Sequence, residues 1–421
     1  MDTQSTGSDQ THAPGEIDPS FGKEGSIQFD VRGIATAIVS DEDGKLVFAL
    51  GLYNRFALMR YLPDGTKDET FNEIVWNFRD GDGSLPTRVL LQEDRKILLI
   101  GGSPRGAEWS PAAVRFFSNG GHDLVFGRKV LAGPVNANSG AAWIQKYVDG
   151  CLQKDQRILI CATYHLLRNE EKPEATLSRL FCLEPNGDPD TGFGEGRGFI
   201  DIRFHDYASF ACDVQVQSDS KIIVAGSWRR LDEQRRTRTV ARYMPTGELD
   251  ASFGNGGFAD IPVEDQTGQS ISERGFRPDI VSRVRVLDDD KILITGYAKG
   301  LDAMDNGLLV RMEANGGLDG SFNNGAPLLI ARELNDLHLN SLAVQPDGKI
   351  VVVGRGMMAG KAMRQYERVS PSGEIEGFWR GHSLGDLVDV TIQPSGRVVA
   401  SGSIETSNMN PSPAVWGYLG S

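Results

Sequence analysis

The sequence predicts an all-β fold: a single seven-bladed β-propeller with four antiparallel strands per blade, its ring closed by an N-terminal outer strand that joins the last blade. Three observations predict it. First, a phrase made of a turn, a Lys or Arg and a run of β-formers recurs at Lys45, Lys96, Arg157, Lys221, Lys291, Lys349 and Arg397, about 59 residues apart on average. Second, an Asp followed three residues later by Phe alternates with it, at Asp18/Phe21, Asp68/Phe71, Asp123/Phe126, Asp190/Phe193, Asp250/Phe253 and Asp319/Phe322, with a degenerate copy at Glu376/Phe378. Third, another strand lies between these landmarks, as in FALMRYLPDG (56–65), TVARYMPTG (239–247) and LLVRMEANG (308–316). A period of this length marks units that bury their apolar faces against their neighbours, and four short strands per unit is the propeller pattern.

Each unit reads strand A, tight turn, strand B, loop, strand C, a P-x-G-type turn, the Asp/Phe loop and strand D. The phase of the repeat predicts how the ring closes. IDPSFGKEGSIQFD (17–30) precedes any strand A, whereas the last unit ends at its third strand, PAVWGYLG (413–420). Two open edges would invite association, and pairing them removes both. Ser26 to Asp30 is therefore expected to be the outer strand beside 414–418, with 397–402 and 387–393 further in. Residues 1–16 read as a flexible tail and 17–421 as the propeller.

Composition narrows the function. A formal net charge of −13 opposes binding to nucleic acid or an anionic membrane surface. The 50 Gly and 19 Pro fit many short strands joined by tight turns. No apolar run reaches the roughly 18 residues of a transmembrane span. MDTQSTGSDQTHAPG has no basic n-region or apolar h-region, so the expectation is a cytoplasmic protein, one exported without a leader, or a chain whose leader is already removed. Cys151, Cys161, Cys182 and Cys212 lack metal-ligand spacing and read as buried thiols.

The D-x-S-F-G, Q-P-D-G-K-I and R-Y-x-P-x-G-x-L-D phrases resemble the delta-60 repeat of bacterial β-propeller proteins over residues 17–421. The resemblance implies the fold and carries over no catalytic residue.

In such a fold the A–B and C–D turns share one face, here called the turn face, and the B–C and D–A loops share the other, the loop face. The turns are short, as in PDGK (346–349); the loops are long and varied, as at 103–112, 164–176, 228–239, 264–279 and 404–413. Function concentrates on loops held by a rigid scaffold, so the loop face is expected to be the working one. Counting back eight residues from each Lys or Arg gives Arg88, Asp149, Asp213, Arg283, Ser341 and Asp389, with Thr36 matching if one extra turn residue is allowed. That predicts a polar ring at the channel mouth. Two readings fit it. The arginines and aspartates pair across blades, or Asp149, Asp213 and Asp389 bind a polar ligand or a cation such as Ca²⁺ while Arg88 and Arg283 hold an anionic group. A Gln recurring four residues before the basic residue reads as a bond to backbone.

SWRRLDEQRRTRTV (227–240) gathers Arg229, Arg230, Arg235, Arg236 and Arg238, which form either a solvated hairpin or a contact for an acidic partner or an anionic glycan. Trp109 and Trp228 either stack on a partner or cover their own blade. No nucleophile elbow, zinc-protease motif, phosphate loop or EF-hand is present, and His205 beside Asp206 is the one histidine placed for a general base. The leading expectation is a non-enzymatic propeller, without cofactor, that recognises a protein or carbohydrate through the loop face and channel mouth. The alternative is a propeller hydrolase of lactonase, esterase or glycosidase type, with a divalent metal near the three aspartates.

Overall fold

A computed structural model describes residues 13–81, 83–105, 108–134, 137–138, 148–166, 176–229, 236–263, 281–299, 304–331, 335–405 and 410–420. Strand β1 (Ser26–Gln28) precedes a first group of β2 (Gly33–Ser40), β3 (Leu46–Leu52), β4 (Phe56–Tyr61) and β5 (Ile74–Trp76). The second group is β6 (Leu85–Leu91), β7 (Ile97–Arg105), β8 (Glu108–Phe116) and β9 (Arg128–Val130). After β10 (Ala137–Asn138) come β11 (Val148–Leu152), β12 (Ile158–Leu166), β13 (Thr176–Leu183) and β14 (Phe199–Ile202). The fourth group is β15 (Ala208–Val216), β16 (Ile222–Arg229), β17 (Arg236–Tyr243) and β18 (Phe258–Ile261). The fifth is β19 (Val281–Val286), β20 (Ile292–Lys299), β21 (Asp305–Met312) and β22 (Leu328–Ile330). The chain finishes with β23 (Asn335–Val344), β24 (Ile350–Met358), β25 (Lys361–Val369), β26 (Ile375–Ile392), β27 (Val398–Glu405) and β28 (Pro411–Tyr418).

The expectation of seven blades is corrected by the sheet topology. Five blades of four antiparallel strands stand apart, the third widened by β10, which pairs with β12. The remaining strands do not divide into blades. They form one seven-stranded sheet in the order β1-β28-β27-β26-β25-β24-β23. The cause lies in β26, 18 residues long, which pairs with β25 through its first part and with β27 from Gly385 onward. Where other units carry the Asp/Phe loop that ends one strand and frees the next, this stretch has only the degenerate Glu376/Phe378, so the backbone runs on as a strand.

The N-terminal segment seals the far edge of that sheet. Ser26 pairs with Trp416 and Gln28 with Ala414. Gly15 donates to the Leu419 carbonyl and Leu419 to that of Glu16, both at 2.8 Å. The tail expected over 1–16 therefore reaches into this pairing; residues 1–12 lie outside the described residues. Inner strands β2, β6, β11, β15, β19, β23 and β26 contact one another in that order and back to β2, around a central channel. Apolar cores fill the spaces between consecutive sheets, as where Cys161 and Leu180 of the third meet Val214 and Val224 of the fourth.

The Asp/Phe landmark is an inter-sheet staple. The Asp accepts from Nε of an arginine on strand C, at 2.6–2.8 Å for Arg60–Asp68, Arg115–Asp123, Arg242–Asp250 and Arg311–Asp319. Each of these guanidinium groups lies 4.5–4.9 Å from the ring of the Phe in its own loop. Its Nη1 donates to a turn carbonyl of the next sheet, Ser118, Pro185, Ala314 or Pro371, at 2.5–2.8 Å. The Phe rings fit because the neighbouring turn carries Gly: a Cβ on Gly247, at φ +101°, would meet Phe193 at 3.2 Å. Cys182 holds the arginine's place in the third blade, and Arg157 reaches Asp190 instead, at 2.8 Å. Of the recurring glutamines, Gln217 and Gln393 donate to carbonyls of the following sheet. The amide atoms of Gln153 and Gln345 are buried without a partner.

Candidate functional site

Arg88, Asp149, Asp213, Arg283 and Asp389 come from β6, β11, β15, β19 and β26, and their side chains meet around the channel axis. Arg88 donates through Nε to Asp149 Oδ1 at 2.7 Å and through Nη2 to Asp213 Oδ1 at 3.2 Å. Arg283 donates through Nη1 to Asp149 Oδ2 at 2.6 Å and through Nη2 to Asp389 Oδ1 at 3.1 Å. Ser341 Oγ adds a bond to Asp389 Oδ1 at 2.7 Å. Two guanidinium groups thus bridge three carboxylates. Among the described residues no group of His, Cys, Asp and Glu is placed to hold a metal ion.

A local backbone irregularity aims these side chains. In β2, β6, β15, β19, β23 and β26 the register with strand B slips by one residue just before the ring position, leaving Thr36, Thr87, Cys212, Ser282, Asn340 and Val388 unpaired. Such a bulge turns a strand and redirects its side chains. Thr36, matched to the ring by sequence, is in fact a bulge residue. Ala37 has the ring's register, opposite Ala49 as Asp213 is opposite Ala225.

The ring's electrostatics follow from burial and charge together. Burial and the neighbouring Asp149 push the Asp213 carboxyl up to about 6, against the pull of Arg88, Arg283 and the Val284 N–H. Burial works against the Arg88 cation, but Asp149, Asp213 and Asp389 outweigh it and hold the guanidinium above its ordinary value.

Above the ring on the loop face is a cavity of about 670 Å³. Asp149 and Arg283 form part of its floor, and five of the six bulge residues, Thr36, Thr87, Cys212, Ser282 and Val388, stand around it. Leu52, Leu85, Pro86 and Pro104 supply apolar wall. At the rim Tyr53 is 80% exposed, with Arg32 lying 5.7 Å from its ring centre and Asn54 beside it.

The tryptophans expected to meet a partner lie outside this cavity's lining. Trp109 lies across Gly102 and packs against Tyr164 at 6.4 Å. Trp228 is stacked by Tyr207 at 4.8 Å and donates Nε1 to Asp260 at 3.2 Å, and the same carboxylate holds His205 Nε2 at 3.1 Å. Arg229 ends β16 with Arg236 opposite it in β17. Arg230 and Arg235 lie outside the described residues.

Residues 42–71 and 217–253 match a family model described as "Domain of unknown function (DUF5122) beta-propeller". The fold is a β-propeller. Extracellular domains 1–2 of Drosophila semaphorin 1a superpose with a TM-score of 0.50 at 7% identity, over 93% of this chain and 87% of that one. Virginiamycin B lyase from Staphylococcus aureus gives 0.49 at 7%, over 93% and 98%. The α-L-arabinofuranosidase of Fusarium graminearum gives 0.48 at 10%, over 82% and 95%. At these identities the likeness is one of propeller fold alone. No curated protein matches the chain. No helix among the described residues is long and apolar enough to cross a membrane.

Missing from the sequence reading are the bulge collar, Tyr53 and the strand-C arginines. The arginines had a signal, since R recurs in FALMRY, AAVRFF, TVARYM and LLVRME at a fixed place before the turn. The collar had none, because an unpaired residue is visible only once strand register is known.

Proposed function

We propose that this propeller is a binding protein and that its ligand is a carbohydrate held in the cavity at the channel mouth. The observation that carries this reading is the cavity itself: a concave site of ligand size with an exposed aromatic ring at its rim, hydroxyl groups around it and a charged floor. A sugar offers C–H faces to an aromatic ring and hydroxyls to fixed polar groups, and this lining supplies both. Ser282 supports the reading further, since its hydroxyl has no partner among the described residues. The hydrolase reading has less support. Asp213, whose carboxyl is the one pushed up, is fully buried and does not line the cavity, and Asp149, which does, is held by Arg88 and Arg283.

The test is a glycan array on the full chain, followed by calorimetry with the best binder. Tyr53→Ala should weaken that binder by about tenfold or more and leave the melting temperature unchanged, because the side chain is 80% exposed. An empty array, or equal affinity for Tyr53→Ala, would overturn the reading.

A further inference from the structure

Beyond the ring, on the side away from the cavity, β19 places Arg285 two residues after Arg283, roughly 7 Å further along the strand. Solvent reaches this side chain. It makes no hydrogen bond or ion pair with any described residue. The charges that act on it are those of Arg88, Arg283, Asp213 and Asp389. Those groups belong to β6, β19, β15 and β26, which meet only at the axis, so the guanidinium lies within the channel and not on the outer surface.

Nothing at its own level compensates it. The residues in the same register on the other inner strands are Val39, Leu90, Cys151, Gln215, Ala343 and Thr391, all uncharged side chains at neutral pH. One level up, the carboxylates are occupied by Arg88, Arg283 and backbone N–H groups. Enclosure, and then repulsion from Arg88 and Arg283, hold the Arg285 guanidinium below its ordinary value. An exposed cation that stands in a channel beside two other guanidinium groups, with the nearby carboxylates already taken, is one that an anion would stabilise.

We propose that Arg285 anchors an anion site inside the channel, separate from the loop-face cavity, which takes a small oxyanion: inorganic phosphate or sulfate, or the carboxylate of a small organic acid. The planar fork of N–H donors matches the oxygen spacing of such groups, which chloride does not offer. The site is independent of the carbohydrate reading, because Arg285 does not line the cavity.

The experiment measures thermal unfolding and calorimetry of the full chain, Arg285→Gln and Arg285→Lys. Each is tested in chloride and, at equal ionic strength, in phosphate, sulfate and succinate. At least one oxyanion should raise the wild-type melting temperature above its chloride value. Arg285→Lys should keep part of that rise, and Arg285→Gln should lose it with an affinity weaker by about tenfold or more. In chloride Arg285→Gln should be as stable as wild type or more so. A response to phosphate and sulfate identifies an inorganic anion, and a response to succinate a carboxylate. Three results would overturn the proposal: no oxyanion exceeding chloride on wild type, an equal rise in Arg285→Gln, or an Arg285→Gln that fails to fold in chloride.

Discussion

The Asp213 carboxylate accepts a hydrogen bond at 3.0 Å from the backbone N–H of Val284, a residue of the next blade. The same relation recurs across the ring closure, where Asp389 accepts from the Ile38 N–H at 3.2 Å. An inner strand has a partner on one side only, so its other edge leaves N–H groups facing the channel. The aspartates satisfy those groups while the arginines tie the aspartates to one another. The charged ring therefore holds sheets together at the axis, as the strand-C arginines do near the turns.

This arrangement fixes a pH dependence. Asp213 is pushed from its ordinary 3.8 to about 6, by burial and then by Asp149. The folded chain accordingly binds more protons than the unfolded one between about pH 4 and 6, and stability falls as pH rises through that window. The groups facing Asp213 are Asp149, Arg88, Arg283, Arg285 and the buried Cys151 and Cys161 thiols. At Asp68 and Asp319 burial is outweighed by hydrogen bonds from Thr70, Lys45 and Arg60 and from Lys291, Ser321 and Arg311, so these carboxyls lie below the ordinary range. They contribute the opposite sign, stabilising above about pH 4 and failing below it. Melting temperature against pH should therefore peak near pH 4 and fall between about 4 and 6, and Asp213→Asn should flatten that fall.

Removing a strand-C arginine should be costly. Arg242 and Asp250 are both 9% exposed in their side chains, and Arg242→Ala would leave the aspartate to Ser252 and the more distant Lys221. A loss of about 3 kcal/mol in denaturant unfolding is expected. Lys67→Ala breaks a pair whose side chains are 44% and 37% exposed and should cost less than about 0.5 kcal/mol.

Two copies of the Asp/Phe loop lack a feature of the others, with Gly192 following Asp190 and Val125 following Asp123 where a hydroxyl residue stands elsewhere. Ser20, Thr70, Ser252 and Ser321 donate their hydroxyls to the loop Asp at 2.6–2.7 Å. The matching position after Asp123 is Val125, which is 90% exposed. Val125→Ser restores the donor and should stabilise by about 1 kcal/mol in denaturant unfolding.

Deleting residues 1–32 removes β1 and the backbone bonds of Gly15 and Glu16 to Leu419. It bares the edge of β28, so the melting temperature should fall and the protein should self-associate on size-exclusion chromatography. An unchanged melting temperature and a monomeric profile would refute the role given to this strand.

Much of the fold was legible because its signals are periodic. Gly and short polar residues mark the turns, β-formers mark the strands, and the phase of the repeat put Ser26–Gln28 beside β28. The number of separate blades was not, since the count assumed that every unit ends in a loop, and β26 crosses from one unit to the next as a single strand. At the site, counting from the basic residue picked out Arg88, Asp149, Asp213, Arg283 and Asp389, which do converge. It missed Thr87, Ser282 and Arg285, because a bulge shifts facing by one residue and an unpaired charge is defined by what surrounds it.

The central claim is that a ligand occupies the loop-face cavity above the ion-pair ring. Hydrogen exchange by mass spectrometry, with and without the best-binding glycan, tests it most directly. Protection should appear at 32–36, 51–54 and 83–87, the backbone that lines the cavity, and be absent from the turns at 41–45, 346–349 and 394–397. Protection confined to the turn face, or none at the three lining segments, would contradict it.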